Sequence, residues 1–205
     1  MEPHWLIWAR RARAIAQNGL AYTQGPFDRE RYAELLRIST EMLAEYGGRE
    51  PERVLELFAG EVGYATPKVD VRAAVFRGGE LLLVRERGDG LWTLPGGWAD
   101  VGESPAECVE REVREESGYT VRAGKLLAVW DGRGHGQPPR PVSVYKLCFR
   151  CEITGGAAAG SLETAEAGFF AEGALPPLSP SRTTPAQAAR LFEHLRHPEW
   201  PADFD

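Results

Sequence analysis

The sequence of 205 residues has few cysteines, no long apolar run and no surplus of positive charge. Its three cysteines (Cys108, Cys148 and Cys151) lack the number and spacing of a disulfide framework, which predicts reduced thiols in a cytoplasmic protein. No stretch approaches the ~18 consecutive apolar residues of a membrane helix. No basic segment followed by an apolar run marks a signal peptide at the amino terminus. The formal net charge of −6 disfavours nucleic acid and anionic membranes as partners, so an anionic ligand would need local cations or metal ions.

Residues 1–62 have the periodicity of helices and form a predicted packing or dimerisation segment. The spacing predicts a first helix with one apolar stripe, formed by Trp5, Trp8, Ala12 and Ile15. A second helix is expected to be capped by Asp28 and to end at Gly47-Gly48, and a short third helix is expected from Pro51 to about Phe58. A hairpin of this size cannot cover its own apolar stripes. We therefore expect a homodimer, the alternative being a monomer in which the hairpin covers its own sheet.

Residues 63–205 form a predicted α/β domain. The strand-like segments are residues 69–76, 81–87, 121–130 and 142–153. A capping box with a proline in the first turn begins a helix at Ser104, and Gly118 ends that helix. The same signature begins a later helix at Thr184. Residues 131–141 and 155–168 are predicted to be long loops.

The helix that follows Ser104 carries three glutamates on one flank. Glu112 and Glu116 lie four residues apart and Glu115 lies between them, beside the stripe that Val109 and Val113 would bury. Like charges at these spacings destabilise a helix by roughly 0.2–0.5 kcal/mol per pair, so folding alone does not explain them. Hard divalent cations prefer carboxylate oxygens. A solvated acidic face is the alternative that this spacing alone leaves open.

The sequence around this helix resembles the Nudix box. The box consists of glycine, five residues, glutamate, seven residues and then Arg-Glu-apolar-x-Glu-Glu-x-Gly-apolar. Every specified position is present between Gly97 and Tyr119. The flanking segments 63–75 and 92–98, the helical extension and residues 169–179 are similar to the branch that acts on nucleoside diphosphates linked to another group X. The resemblance implies an α/β/α sandwich with a mixed sheet. It also implies hydrolysis of the diphosphate bond in CDP-choline or ADP-ribose, giving a nucleoside monophosphate and phosphorylated X.

The resemblance also implies roles for residues in and around the box. Glu112, Glu115 and Glu116, with the carbonyl of Gly96, would bind Mg²⁺ or Mn²⁺, and Glu103 and Arg111 would support them. Arg111 would reach either Glu115 or Glu103. The general base varies in the family, which leaves Glu112 and two glutamates of the second long loop open, and either loop residue could instead be a metal ligand. The two loop residues are Glu163 and Glu166.

Substrate contacts are predicted from cations and aromatic residues outside the box. Arg72 and Arg85 lie on predicted strands, and Trp98 follows the box glycine, where it could stack on a base. The first long loop adds Arg133, His135 and Arg140, although a solvated loop is an equally simple interpretation. Two other functions share the motif. One is the hydrolysis of nucleoside triphosphates or of RNA 5′ ends, and the other is non-catalytic nucleotide binding, which the complete set of glutamates disfavours.

Overall fold

The computed structural model describes residues 2–48, 50–58 and 60–205, without the side chains of residues 51, 52, 55 and 57. The chain divides into two compact units. A helical unit consists of residues 1–67 and 139–143, and an α/β unit consists of residues 68–138 and 144–205. Among the described residues, no helix is both long enough and apolar enough to cross a bilayer.

The helical unit contains α1 (His4–Tyr22), α2 (Pro26–Gly47) and α3 (Pro51–Phe58). The first two helices cross closely, because a Cβ at Gly19 would overlap the ring of Tyr32. The third helix and the end of α2 lie where the sequence predicts them.

The predicted start of α2 is wrong. The helix begins at Pro26 with Gly25 as its N-cap residue, and the Asp28 side chain lies inside the first turn, where it pairs with Arg31. Proline is pre-organised for the first helical position, and this preference places the start before Asp28.

The predicted apolar stripe of α1 is mostly not the face that packs in the helical core. The face that packs in the helical core carries Leu6 and Ala9, whereas Trp8 and Ile15 are exposed. The helix has two apolar stripes, and the smaller side chains allow the closer approach of α2. The helical core consists of Leu6, Ala9, Leu43, Ala44 and Val54.

The α/β unit contains seven strands and two helices. The strands are β1 (Lys68–Arg77), β2 (Glu80–Glu86), β3 (Trp92–Thr93), β4 (Tyr119–Asp131), β5 (Val144–Gly156), β6 (Thr164–Phe170) and β7 (Asp203–Phe204). The helices are α4 (Pro105–Ser117) and α5 (Pro185–Arg196), and a 3₁₀ turn spans Glu172–Ala174.

The sheet is mixed and has the order β3-β2-β1-β5-β4-β7, with β6 paired to β2. β1 and β5 are parallel over eight residue pairs, and β4 and β5 are antiparallel. β6 pairs with β2 along its whole length, while β1 and β3 pair with opposite ends of β2.

Both faces of the sheet are covered, which makes the unit an α/β/α sandwich. One core layer joins the sheet to α4 through Val109 and Val113, and the other joins it to α5 through Leu191 and Phe192. Burying a side chain of this size contributes roughly 1.5–3 kcal/mol. The fold predicted from the sequence is confirmed.

Both predicted capping boxes are present, at Ser104 with Glu107 and at Thr184 with Gln187. Gly118 ends α4 in the left-handed conformation. The two strand cysteines, Cys148 and Cys151, lie in opposite core layers, as a spacing of three in a strand requires.

Half of the second predicted loop is strand. β5 continues to Gly156 and β6 begins at Thr164, so Glu166 lies on a strand and Glu163 lies just before it. The glycines and alanines of this segment concealed the strand, because they weaken the apolar alternation on which the prediction depends.

Candidate active site

The segment 95–99 lies along β1 and brings its backbone to the glutamate helix. The N–H of Ala73 donates to the carbonyl of Pro95, the N–H of Val71 donates to that of Gly97, and the N–H of Ala99 donates to that of Val69. A Cβ at Gly96 would overlap the carbonyl oxygen of Val71, and its φ of 136° also favours glycine.

Two glutamates of α4 pack directly against this segment. The backbone N–H of Gly96 donates a 2.8 Å hydrogen bond to Oε2 of Glu116, whose side chain is buried. A Cβ at Gly97 would lie only 3.1 Å from Oε2 of Glu112. The two glycines therefore allow the carboxylates to approach the main chain closely.

Arg111 occupies the centre of the acidic cluster. Its Nε lies 3.1 and 3.0 Å from the two carboxylate oxygens of Glu103, and its Nη1 donates to Glu112 at 2.9 Å and to Glu115 at 3.0 Å. Nη2 donates to Asp100 at 3.0 Å. Both contacts expected for Arg111 are present, and one guanidinium partly neutralises four carboxylates.

Negative charge in the cluster remains undercompensated. Burial raises the pKa of Glu116 to about 8, although Arg72 and the Gly96 N–H oppose the shift. Burial also raises the pKa of Glu112, against the opposing effect of Arg111. Carboxyls that are this poorly solvated favour either a proton or a cation as a partner.

The donor set fits a hard divalent cation by its chemistry. Glu116 offers buried and Glu112 largely buried carboxylate oxygens, and Glu115 lies beside them at the edge of the cluster. In the part of the chain that the structure describes, no three acidic, His or Cys side chains converge on one coordination point. Arg111 holds Glu112 and Glu115, so binding of a cation would require these side chains to turn away from the guanidinium.

Comparison with known proteins identifies the family. Residues 66–193 match the family model of the NUDIX domain, and residues 3–58 match a UDP-X-like, N-terminal oligomerisation domain. The chain belongs to the Nudix family. It is a Nudix pyrophosphohydrolase, and Glu112, Glu115 and Glu116 are the glutamates on the helix of its box.

Full-length relatives carry both parts. The chain is 50% identical to YjhB of Bacillus subtilis, provisionally named as an ADP-ribose pyrophosphatase, across 100% of this chain and 99% of that protein. It is similar to the crystal structure of a UDP-X diphosphatase, with 34% identity, a TM-score of 0.64 and 98% of each chain covered. An ADP-ribose pyrophosphatase from Streptococcus suis matches 68% of this chain over its entire length, with 41% identity and a TM-score of 0.63.

A buried ionic network that the sequence did not reveal lies beside the Nudix box. Nε of Arg72 donates to Asp70 at 2.7 Å, and its Nη1 donates to the carbonyl of Leu94 at 3.0 Å. Nζ of Lys146 lies 3.8 Å from the same aspartate. When both faces of a strand are covered, the alternation of apolar and polar residues in its sequence does not show whether a charged side chain is buried or exposed. Arg72 is thus a buried, paired cation, and its contact with substrate stays a prediction.

The two candidate base residues lie in different surroundings. Glu166 pairs with Arg85 across β6 and β2 at 3.2 Å, and both side chains are exposed. Glu163 directly precedes β6, and its carbonyl accepts a 2.9 Å hydrogen bond from the N–H of Arg87 at the end of β2. The hydroxyl of Thr164 donates to the carbonyl of Glu116 and so anchors the start of β6 at the end of the box helix.

The predicted cations of the first long loop lie among other partners. Arg133 pairs with Asp131, and Nε2 of His135 lies 3.0 Å from Asp205. The carbonyl of Arg140 accepts a hydrogen bond from Arg10 within the helical unit. Asp131, Asp205 and Arg10 all lie outside the Nudix box. Their contact with substrate stays a prediction.

Trp98 is half-exposed directly after Gly97. Its carbonyl accepts a hydrogen bond from the Cys108 thiol, and its backbone bridges to Asp70. The backbone is therefore fixed while the indole remains accessible, which suits the stacking role predicted for it.

Proposed function

We propose that this Nudix pyrophosphohydrolase cleaves the diphosphate bond of ADP-ribose, or of a UDP-linked compound, to give a nucleoside monophosphate and a phosphorylated product. The proposal depends mainly on one observation, which is that Glu112 and Glu116 pack against the glycine segment. The full-length similarity to proteins named for ADP-ribose and UDP-X supports this choice of substrates. Neither these relatives nor the family models name CDP-choline.

Different residues of the site have different proposed roles in the reaction. Glu112, Glu115 and Glu116 would hold Mg²⁺ or Mn²⁺, which supplies positive charge to the diphosphate and acidifies a bound water. The Gly96 N–H keeps Glu116 turned inward, and Arg111 keeps the other carboxylates close together until a cation replaces it. Preorganised carboxylates lose little rotational freedom on binding, which favours a defined geometry.

Glu163 is the better candidate for the general base. It directly precedes Thr164, whose hydroxyl donates to the carbonyl of Glu116, and its own carbonyl accepts a hydrogen bond from the N–H of Arg87, whereas the Glu166 side chain is paired with Arg85. Glu163→Gln should lower kcat by about 10²–10⁴-fold. Glu166→Gln, three residues away with the same loss of charge, is the matched control and should stay near wild type.

A substrate panel tests the proposed activity. The purified protein is assayed with Mg²⁺ or Mn²⁺ against ADP-ribose, a UDP-sugar, CDP-choline, a deoxynucleoside triphosphate and triphosphorylated RNA. The proposal expects the highest kcat/KM for ADP-ribose or the UDP-sugar, with AMP or UMP as a product. If kcat/KM is highest for the triphosphate or the RNA, the enzyme belongs instead to the class that hydrolyses nucleoside triphosphates or RNA 5′ ends. Nucleotide binding without any turnover would favour a regulator.

We also propose that the chain is a homodimer assembled through α1. Trp8, Ile15 and Tyr22 are 59%, 56% and 65% exposed and recur at intervals of seven, so they share one face of the helix. An exposed apolar stripe of this kind needs a partner surface. The match of residues 3–58 to an oligomerisation domain supports the same conclusion.

A further inference from the structure

The segment 179–184, which follows β6 and the 3₁₀ turn, is fixed to the strand that leads into the box. The N–H of Ser179 donates to the carbonyl of Trp92 at 2.7 Å, and the N–H of Leu94 donates to the hydroxyl of Thr183 at 3.1 Å. The two threonine hydroxyls of Thr93 and Thr183 lie 2.9 Å apart. The segment therefore has a defined position relative to the residues that precede Gly96.

Arg182 lies in the middle of this segment, and its backbone is held as well. Its N–H donates to the carbonyl of Ser179 at 2.9 Å, and its carbonyl accepts from Nε2 of Gln137 at 3.0 Å and from Nζ of Lys146. A side chain on so constrained a backbone has few directions available to it.

Two carboxylates orient the guanidinium. Nε lies 3.0 Å from Glu86, and Nη1 lies 3.2 Å from Asp89. Over residues 2–48, 50–58 and 60–205, no acceptor forms a hydrogen bond with Nη2 of Arg182. The side chain is 34% exposed. Nη2 therefore has donor capacity to spare on a guanidinium that is oriented and partly exposed.

Glu86 connects this arginine to the box glutamates. Glu86 is buried at the end of β2 and pairs across the sheet with Thr164, whose hydroxyl donates to the carbonyl of Glu116. The guanidinium next to Glu86 therefore borders the acidic cluster.

A diphosphate that approaches three glutamates needs positive charge from the protein as well as from metal ions. Arg111 is surrounded by carboxylates and Arg72 is buried against Asp70, so both guanidinium groups are already committed. We propose that Arg182 is a substrate-binding residue whose Nη2 donates to a non-bridging oxygen of the substrate diphosphate. Glu86 and Asp89 hold the guanidinium in place for this contact. This inference rests on the proposed diphosphate hydrolase activity and names a further residue of the same site.

Three arginine variants test the contact. Arg182→Gln removes the charge and the donor fork, Arg182→Lys keeps the charge, and Arg196→Gln is the control. Arg196 is exposed and pairs with Glu172 on the surface. The probe is ADP-ribose with a methylene group in place of the bridging oxygen, titrated calorimetrically in the presence of Mg²⁺, and KM and kcat are measured with ADP-ribose itself.

Arg182→Gln should weaken analogue binding and raise KM by roughly 10- to 100-fold, the usual loss for a hydrogen bond to a charged group. Arg182→Lys should restore part of the binding, and Arg196→Gln should match wild type. A purely structural role predicts another pattern. The lysine ammonium cannot reproduce the fork between Glu86 and Asp89, so Arg182→Lys would then lower the thermal midpoint as much as Arg182→Gln and restore no binding.

The outcomes separate this inference from the proposed function. Wild-type protein that hydrolyses ADP-ribose, together with Arg182→Gln of unchanged analogue affinity and KM, overturns the role of Arg182 and leaves the function standing. Wild-type protein that hydrolyses no diphosphate overturns both.

Discussion

The backbone N–H of Gly96 donates to the carboxylate of Glu116 at 2.8 Å, joining two parts of the Nudix box region that lie twenty residues apart. The contact requires a residue without a Cβ, because Gly96 has a φ of 136° and lies against the carbonyl of Val71. Without this donor, the buried carboxylate of Glu116 would lose a hydrogen bond that favours its charged form.

Replacing Gly96 by alanine should destabilise the fold and abolish activity. The added Cβ overlaps main-chain atoms of β1, and the backbone conformation is strained for any other residue, so a loss of at least about 2 kcal/mol in the free energy of unfolding is expected. Gly102→Ala is the matched control. Gly102 also has a positive φ, of 95°, but a Cβ there meets no atom within 4 Å. Chemical denaturation of both variants separates the destabilisation caused by steric overlap from the destabilisation caused by backbone strain. Equal free energies of unfolding for the two variants would contradict the close approach at Gly96.

Replacing Arg111 by glutamine should make the protein more dependent on metal. Glu112 would lose its 2.9 Å partner while remaining largely buried, at a cost of about 1–3 kcal/mol. A bound divalent cation would replace that positive charge. The rise in thermal midpoint on adding Mg²⁺ should therefore be larger for Arg111→Gln than for wild type. An equal rise in both proteins would mean that arginine and metal do not share the same carboxylates.

Local signals in the sequence predicted the parts of the fold that depend on them. The two capping boxes begin α4 and α5, and the left-handed Gly118 ends α4, through contacts within a few residues. Both ends of α4 and the start of α5 could therefore be predicted from the sequence. The spacing of the box glutamates predicted their shared flank for the same reason. The contact between Gly96 and Glu116 required the fold, because only the pairing of segment 95–99 with β1 brings the two together.

The missed features depend on tertiary structure. Asp70 and Lys146 lie in strands covered on both faces, where a charged side chain can be buried if it has a partner. The two-residue strands β3 and β7 are too short to show alternation. For α1, the sequence shows two apolar stripes, and the packing of α2 decides which of them the helical unit buries.

Substitution of the exposed stripe of α1 should dissociate the dimer. Wild-type protein should have a native mass of about twice 22.6 kDa. Trp8→Ser combined with Ile15→Ser removes two exposed apolar side chains and should shift the equilibrium to monomer at low micromolar concentration, with the helical content unchanged. Arg31→Ser on α2 is the control, since its side chain is 77% exposed and pairs with Asp28. A wild-type chain that remains monomeric at high micromolar concentration would refute the proposed assembly.

The last strand, β7, should depend on pH through Asp203. Hydrogen bonds from Arg190 lower the pKa of Asp203, with His194 acting in the same direction, and Glu193 also pairs with Arg190. Because the folded state favours the ionised carboxyl, its contribution is fully present above the ordinary pKa of aspartate and is lost as the pH falls through the lowered value.

Asp203→Asn should consequently cost about 0.2–1 kcal/mol at pH 7, as expected for a partly exposed ion pair, and close to nothing near pH 2. Urea denaturation of both proteins at the two pH values measures this difference. Equal destabilisation at both values would show that the carboxylate charge does not hold β7.

The most direct test of the central claim is the kcat/KM of single glutamate variants under saturating Mg²⁺. The substrate is the best one found in the panel. Glu115→Gln and Glu116→Gln each remove a proposed charged metal ligand at little steric cost, and Glu107→Gln removes a charge from the capping box of the same helix. We predict a loss of at least ~10²-fold for the two box variants, because metal charge supplies several kcal/mol of transition-state stabilisation. The Glu107→Gln control should stay within a few-fold of wild type. Folded Glu115→Gln and Glu116→Gln proteins with wild-type kcat/KM would contradict the assignment of the active site.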